Sequence, residues 1–281
     1  MQKAKALTCV YQKYDERQQY RSSIIRTEDL SMEFSQPIVI VSSFFEDASY
    51  LAGILQRRGI RPFYTDETPW PRDRGICVDQ RYFLINKNKL GGMEGIERQL
   101  EQGGMYCFGS SYGLVSTTAT QHGNIPRPDI SELLSSFFER KMYEIPPYET
   151  ESGHLDLTCL AIRSQNRLII TKQQYELAKD TFEHVAREHN QELIIYDPQE
   201  EEELWPLNSL VLELPEGPHI IANQFTPKFL LFLCNLGLTY DKVCASKHET
   251  TSHGGSIHCA TNEWVWPSPI PVLRDLRPAF P

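Results

Sequence analysis

The chain has 281 residues, of which 40% are hydrophobic and 23% are charged, and its formal net charge is -9. This length and composition are typical of a globular protein with a sizeable buried core, in one large domain or two small ones. The acidic balance argues against a nucleic-acid partner, which favours a basic face. No apolar run approaches the length of a membrane span, so we expect no membrane partner either.

The cysteines indicate a reducing compartment. There are seven, an odd number, with no C-x-x-C pair, and several lie inside apolar runs such as Leu157–Ile162. This pattern favours reduced thiols over a disulfide framework. The first seven residues, Met1–Leu7, lack the apolar core of a signal peptide. The sequence therefore predicts a cytoplasmic protein.

Hydrophobic periodicity and helix stop signals predict the elements, with residues 1–36 left unassigned. The predicted helices cover 47–58, with Asp47 as its cap, and then 95–102, 129–141, 173–189 and 227–236. The predicted strands cover 38–41, 60–64, 75–78, 82–85, 106–108, 114–117, 142–145, 157–162, 168–171, 192–196, 210–214, 219–222 and 238–243. An acidic loop at 200–203 is interpreted as solvated surface.

These elements repeat in the order strand, strand, helix, strand. The period is roughly 45–50 residues, which is typical of repeat architectures. The segment 38–64 lacks the first strand of a repeat, and a strand that carries Cys259 is a candidate to supply it by closing a ring. The sequence thus predicts an α/β fold of five ββαβ units around a pseudo-axis, with the connecting loops meeting at the centre. The predicted domain covers 37–262, followed by a Pro-rich tail at 263–281.

One stretch, His253–Thr261, concentrates chemical groups around a single cysteine. Gly254 and Gly255 permit backbone conformations and close approaches that side chains forbid. Cys259 follows this turn with histidines nearby, which is a setting for a thiol of lowered pKa that acts as a nucleophile. The alternative is that Cys259 is buried as a small hydrophobic residue.

Two further loops carry carboxylates. Asp73 lies in a turn bounded by Pro71 and Gly75, where it could bind substrate, cap the turn or pair with a neighbouring arginine. His154 and Asp156 alternate, so if Leu155 begins a strand, their side chains point to the same side. That arrangement suits proton transfer beside a charged group, although the pair could also satisfy loop backbone groups.

A cysteine, a histidine and several carboxylates together suggest chemistry on a guanidinium group. Because the guanidinium is planar and cationic, carboxylates hold it by paired hydrogen bonds. A thiolate can then attack the central carbon from one face, while the histidine protonates the departing amine and later deprotonates the incoming nucleophile.

The three blocks Trp70–Gly75, Gly153–Asp156 and Gly254–Cys259 together resemble the guanidino-group-modifying enzymes, or penteins. This superfamily includes arginine and agmatine deiminases, dimethylarginine dimethylaminohydrolases and amidinotransferases. The resemblance implies a five-bladed α/β propeller with a pseudo-fivefold axis. It implies Cys259 as nucleophile and His154 as general acid and base, with Asp73 and Asp156 gripping the guanidinium. Gly254 and Gly255 would shape the turn that presents the thiolate, and His258 receives no catalytic proton.

One block departs from the family pattern. The family usually has a Glu-Gly-Gly-Asp segment whose acidic residue orients the histidine. The best counterpart here is Glu101–Met105, where alignment on the two glycines puts Gln102 in the glutamate position and Met105 in the aspartate position. Glu101 serves if the loop is shifted, and Glu151 is the other candidate. A neutral partner would stabilise the imidazolium less.

The leading hypothesis is a hydrolase of an arginine-like guanidino compound, acting through a covalent thiouronium and releasing ammonia or an amine, without a cofactor. An amidinotransferase would use the same residues with an amine in place of water, and a non-catalytic binding protein of this fold is the alternative from another class. A metal site at His248, His253, His258 and Cys259 matches no common zinc spacing, so we predict none. The expected partner is a small cationic substrate, and the oligomeric state is not predicted.

Overall fold

The computed structural model describes residues 38–68, 71–78, 81–84, 103–121, 127–148, 152–198, 205–244, 256–264 and 277–280. Within these ranges the fold is mixed α/β, and its strands form five separate small sheets. The strands are β1 (Ile38–Ser42), β2 (Arg61–Thr65), β3 (Gly75–Val78), β4 (Arg81–Leu84), β5 (Tyr106–Phe108), β6 (Tyr112–Ser116), β7 (Lys141–Ile145), β8 (Cys159–Ile162), β9 (Arg167–Thr171), β10 (Glu192–Tyr196), β11 (Leu210–Leu214), β12 (Gly217–Asn223), β13 (Thr239–Val243), β14 (Thr261–Trp264) and β15 (Arg277–Pro278). The α-helices are α1 (Ala48–Arg57), α2 (Thr117–Gln121), α3 (Arg127–Phe138), α4 (Lys172–Leu177), α5 (Lys179–His189) and α6 (Pro227–Asn235).

Three of the sheets repeat one arrangement. In β5–β6–β7, β8–β9–β10 and β11–β12–β13 the first strand pairs antiparallel with the second, and the second pairs parallel with the third. One or two helices connect the second strand to the third in each unit, because a parallel pair needs a long crossover. The predicted strand–strand–helix–strand repeat is therefore confirmed in these units.

A fourth sheet, β14–β1–β2–β15, completes the same arrangement with strands from distant parts of the chain. β1 and β2 are parallel and joined by α1. β14 lies antiparallel to β1, with Val41 opposite Thr261. The N-terminal unit thus takes its first strand from the C-terminal part of the chain, as expected, but Cys259 itself lies in the turn before that strand and not within it. β15, in the predicted tail, pairs with the other edge of β2.

The remaining sheet is the predicted hairpin, in which β3 and β4 pair antiparallel. The helix predicted at 95–102 lies outside the described residues.

Three local predictions are wrong. The single helix expected at 173–189 is two helices, α4 and α5, because the backbone leaves the helical region at Ala178 (φ -132°, ψ 32°). The strand expected from Leu157 begins at Cys159, since residues Leu155–Leu157 form a 3-10 turn. Asp47 makes no side-chain cap to α1, and its Oδ2 instead accepts a hydrogen bond of 3.0 Å from the backbone N of Cys244.

The core lies between each sheet and the helices of its own and neighbouring units. One hydrophobic cluster joins β1 and α1 to β11 and β13, and it includes Ile257 and Ala260 on either side of the Cys259 position. Another joins β8 and β9 to β12 and α6 around Phe229, which is fully buried and lies 5.2 Å from Tyr196 between ring centroids.

We predict that Phe229→Ala lowers the free energy of unfolding by about 3–5 kcal/mol, because it removes a buried aromatic side chain and leaves a cavity. Leu231→Ala on the same helix is the control. Leu231 is 61% exposed, so its replacement should change the free energy of unfolding by less than about 0.5 kcal/mol. Urea unfolding followed by circular dichroism measures both, and equal losses for the two variants would contradict the assigned packing of α6.

Candidate active site

Cys259 lies in a turn directly before β14, and only 3% of its surface is exposed. The turn is fixed by hydrogen bonds from Ala260 N to Ser256 O (3.0 Å) and from Thr261 Oγ1 to Ile257 O (2.9 Å). Ile257 and Ala260 are fully buried in the adjacent hydrophobic cluster. The apolar residues around Cys259 thus anchor the turn and hold the thiol in one place.

His154 and Asp156 lie in the segment that enters β8. Gly153 has a positive φ of 71°, and a Cβ there would lie 2.6 Å from the Cβ of Thr118, so the turn requires glycine. His154 is extended and the 3-10 turn begins at Leu155. The expectation that the pair alternates along a strand is therefore wrong. Even so, the 3-10 turn brings His154 Nδ1 to 3.7 Å from Asp156 Oδ1.

The structure brings three of the predicted site residues together. One ligand-type atom from each of His154, Asp156 and Cys259 lies within 4.8 Å of the others, and all three residues are buried. The Sγ of Cys259 lies 3.5 Å from Asp156 Oδ2, in position to donate its thiol proton. A thiol thus meets an imidazole and a carboxylate that lie more than 100 residues before it in the sequence.

Asp156 is held as an anion. Burial acts to raise its pKa, but the hydrogen bond from His258 and the charges of His258, His154 and Arg72 outweigh burial, so the pKa lies below its ordinary value. His258 Nδ1 is 2.7 Å from Oδ2. Among the described residues, the other oxygen, Oδ1, accepts no hydrogen bond. The carboxylate can therefore receive a donor from a bound cation.

The two glycines aligned with the family's Glu-Gly-Gly-Asp segment pack against this group. They open the 3-10 turn Gly103–Met105 that precedes β5. A Cβ on Gly104 would lie 2.4 Å from His154 Nδ1 and 2.9 Å from Asp156 Oδ1, and a Cβ on Gly103 would lie 2.1 Å from the carbonyl oxygen of Arg72. Only residues without a side chain allow this backbone so close to the imidazole.

Other predicted residues are placed only in part. Met105, aligned with the family's aspartate, is buried in a hydrophobic cluster. Asp73 lies in the 3-10 turn Pro71–Arg74, directly before β3, but its side chain is outside the described part of the structure. The predicted residues Glu101, Gln102, Glu151, Gly254 and Gly255, and the histidines His248 and His253, lie outside the described residues altogether.

Sequence reasoning missed Asn208. This residue is 1% exposed and precedes β11. Its side-chain Oδ1 accepts hydrogen bonds from the backbone N of Ser256 (2.9 Å) and of Cys259 (3.2 Å), and its Nδ2 lies 3.2 Å from the Cys259 Sγ. Its position in the repeat could have identified it, because Asn208, like His154 and Asp156, lies just before the first strand of a repeat unit.

A cavity of about 80 Å³ adjoins the group, with Asp156, His258 and Arg72 in its wall. It is also lined by residues of β5, β8 and β11, among them Glu213, and by Arg163 in the turn after β8. Glu213 accepts a hydrogen bond of 2.6 Å from Arg163 N. The cavity has room for a few water molecules beside the carboxylate.

The atoms of this group are of kinds that also bind metals, but Asp156 Oδ2 and Cys259 Sγ already take part in hydrogen bonds. His258 donates to the Asp156 carboxylate and Asn208 donates to the Cys259 sulfur. We assign no metal to the group. None of the helices in the described ranges has both the length and the apolar composition needed to cross a bilayer.

Comparison with known proteins gives structural likenesses only. No protein-family model matches the sequence, and no curated protein matches it either. Among solved structures, an amidinotransferase of the saxitoxin pathway of Microseira wollei is 13% identical with a TM-score of 0.58, covering 81% of this chain and 94% of its own. The agmatine deiminase of C. jejuni is 14% identical with a TM-score of 0.54, covering 84% and 95%.

A third similar structure is a dimethylarginine dimethylaminohydrolase adduct with S-methyl-L-thiocitrulline. It is 12% identical, with a TM-score of 0.54, and the match covers 83% of this chain and 100% of that one. At this level of identity a likeness shows the fold and not the activity. The resemblance indicated by the three sequence blocks is thus confirmed at the level of the fold: this chain has the fold shared by these guanidino-modifying enzymes.

Proposed function

We propose that the protein is a cysteine-dependent hydrolase that acts on a small cationic guanidino compound of the arginine type. The observation that carries this proposal is the buried convergence of Cys259, His154 and Asp156 within 4.8 Å of one another. Support comes from the fold, which is shared with deiminases, a dihydrolase and an amidinotransferase. We propose residues 37–262 as the catalytic domain, with five ββαβ units as the blades of a propeller, in a cytoplasmic protein.

We propose that the substrate binds through its positive charge. Oδ1 of Asp156 is buried and accepts no hydrogen bond from the described residues, and we propose that it accepts one from a guanidinium N–H, with Asp73 as the second carboxylate. Because Asp156 is ionised and buried, a cation that replaces water there gains a strong charge-assisted contact. Gly254 and Gly255 are proposed to shape the turn in front of the thiol.

The chemical steps follow from this placement. The Cys259 thiolate adds to the central guanidinium carbon, and the tetrahedral adduct expels ammonia or an amine as His154 gives a proton to the leaving nitrogen. This leaves a thiouronium bonded to Sγ. His154 then takes a proton from water as the water adds to the same carbon, and collapse of the second adduct expels the thiolate and a product in which oxygen replaces the lost nitrogen. We propose Glu101 as the residue that orients His154.

An amidinotransferase is the second candidate, favoured by its presence among the similar structures. In that reaction an amine takes the place of water in the second half, and the same thiouronium is formed. A non-catalytic binding protein is the third candidate, since the segment Glu101–Met105 departs from the family pattern.

To test the reaction, we would incubate the purified protein with arginine, agmatine, methylarginines and guanidinoacetate, each with and without an amine acceptor, and identify products by mass spectrometry. We expect turnover by the native protein and none by Cys259→Ser, because serine at this position is a far weaker nucleophile. Cys234→Ser is the matched control, since Cys234 is an exposed free thiol on α6 and its loss should leave turnover unchanged.

The products separate the candidates. A ureido product with loss of ammonia or an amine supports hydrolysis, and a new guanidino compound that forms only with an acceptor supports transfer. Absence of turnover across the panel, together with a Cys259 that resists alkylation near neutral pH, would count against both reactions and favour the binding protein.

A second prediction concerns Gly104→Ala. The added Cβ would lie 2.4 Å from His154 Nδ1 and would force the imidazole to move. We expect kcat/KM with the best substrate of the panel to fall at least about a hundredfold, as is typical when a reacting group is displaced by about 1 Å.

Gly53→Ala is the control for this change. Gly53 lies inside α1, and the nearest atom to an added Cβ is 3.6 Å away, so kcat/KM should be unchanged and the helix slightly more stable. Full activity of Gly104→Ala would show that His154 does not need its present position.

A further inference from the structure

Two features around the Cys259 thiol oppose its ionisation. It is almost fully buried, and the ionised Asp156 has its Oδ2 only 3.5 Å from Sγ. Burial and a nearby negative charge both favour the neutral thiol. A nucleophilic thiolate at this place therefore requires a compensating interaction. The inference that follows rests on the proposed function in one respect, which is that Cys259 is the nucleophile.

Two other buried thiols show the effect of such surroundings. Burial, followed by the charge of Asp156, raises the pKa of Cys107 to about 12. Burial and then the charge of Cys107 raise the pKa of Cys159 well above its ordinary value, with Asp156 adding to the rise. For neither thiol does the structure record a hydrogen bond from a side-chain amide among the described residues. Cys259 differs in having one, from Asn208.

The orientation of the Asn208 amide is fixed by its partners. Backbone N–H groups can only donate, and those of Ser256 and Cys259 both point to the same side-chain atom, which must therefore be the oxygen. The other atom is then the nitrogen, Nδ2, 3.2 Å from Sγ. An amide nitrogen has no acceptor site, so in this contact Asn208 donates and sulfur accepts.

The backbone of Asn208 is held as firmly as its side chain. Its N–H donates to the Trp205 carbonyl (3.0 Å), and its own carbonyl accepts from His258 N (3.2 Å). With 1% of its surface exposed, the residue cannot turn its amide toward solvent. The donor therefore lies beside the sulfur before any substrate binds, which is the arrangement that stabilises charge most effectively.

We propose that Asn208 is a catalytic residue: its side-chain N–H donates to the Cys259 sulfur and stabilises the thiolate that attacks the substrate. When the thiol loses its proton to water, the S–H bond directed at Asp156 disappears and the Asn208 N–H remains as a donor to the charged sulfur. Among the described residues, the charged or titratable groups near this thiol are Asp156, His154 and His258, with Arg72 acting on Asp156. Asn208 contributes a neutral donor that does not change its charge with pH.

The test is the pH dependence of Cys259 alkylation by iodoacetamide, followed by mass spectrometry of the peptide that contains Cys259. The variants are Asn208→Asp and Asn208→Ala. In Asn208→Asp, the carboxylate keeps an oxygen acceptor for the backbone N–H groups of Ser256 and Cys259 but replaces the amide donor by a negative charge. Alanine removes both the donor and the acceptor without adding charge.

The two roles of Asn208 predict different results for Asn208→Ala. If the amide stabilises the thiolate, the apparent pKa of Cys259 should be lowest in the native protein, higher in Asn208→Ala and highest in Asn208→Asp. We expect a rise of about one unit or more for Asn208→Asp, which lowers the alkylation rate near neutral pH about tenfold. If Asn208 only holds the turn through its oxygen, Asn208→Ala should keep the native apparent pKa of Cys259, because only the charge added in Asn208→Asp would then raise it, and that result would overturn the proposal.

Two controls accompany the measurement. Asn223→Asp makes the same chemical change at another buried asparagine, whose Oδ1 accepts from Phe225 N, and it should leave the Cys259 profile unchanged. Alkylation of the exposed Cys234 in the same samples is an internal reference. Urea unfolding of each variant identifies a loss of folding. If Asn208→Ala does not fold, an unchanged apparent pKa of Cys259 in Asn208→Asp would still overturn the proposal. Because alkylation needs no substrate, the predicted order can hold even if no guanidino compound is turned over, which would reject the proposed function alone.

Discussion

The pairing of β14 with β1 determines where Cys259 lies. Its register sets Thr261 opposite Val41, and Ser42 N donates to Ala260 O at 2.9 Å, so the turn that carries the cysteine is attached to the end of a fully buried strand. A cysteine at the far end of the chain is thereby fixed relative to the N-terminal unit. Without this antiparallel contact, the N-terminal unit would lack its first strand and the thiol would have no defined position near His154 and Asp156.

The rest of the site follows from repetition of the same local arrangement. In each sheet, a short turn precedes the first strand of the antiparallel pair, and these turns contact one another. The turns are Pro71–Arg74 before β3, Gly103–Met105 before β5, Leu155–Leu157 before β8, the segment containing Asn208 before β11, and the Cys259 turn before β14. Because the strands carry the repeated structure, the residues in the turns can differ from one unit to the next. Each unit contributes a different chemical group to the same small region.

The sequence predicted much of this because the information is local. Apolar runs bounded by polar turns identify β1, β9 and β11 nearly to the residue, and the order of elements reveals the repeat. The three blocks with glycine, histidine, carboxylate and cysteine predicted the site residues that the structure brings together, His154, Asp156 and Cys259. Such groups stand out because few structural roles require them side by side.

What the sequence could not predict depends on contacts between distant residues. The break at Ala178 separates two helices that share a continuous periodic pattern, and nothing in that pattern marks the change of backbone angle. Asn208 looks like an ordinary loop residue, since asparagine is common before strands. Its role becomes visible only when Ser256 and Cys259, about 50 residues later, place two backbone N–H groups on its oxygen.

Burial of these polar groups imposes a condition on the whole site. An ionised carboxylate, two histidines and a thiol in a nearly closed space would each lose hydration, and each is costly unless it is hydrogen-bonded or paired. His258 supplies the hydrogen bond for one oxygen of Asp156. Asn208 makes hydrogen bonds both with the backbone of the Cys259 turn and with the sulfur. Oδ1 of Asp156 is buried and accepts no hydrogen bond from the described residues, and His154 Nδ1 lies 3.7 Å from it. The arrangement thus keeps the turn rigid but leaves one buried carboxylate oxygen without a donor among the described residues, a cost that a donor from the proposed substrate would relieve.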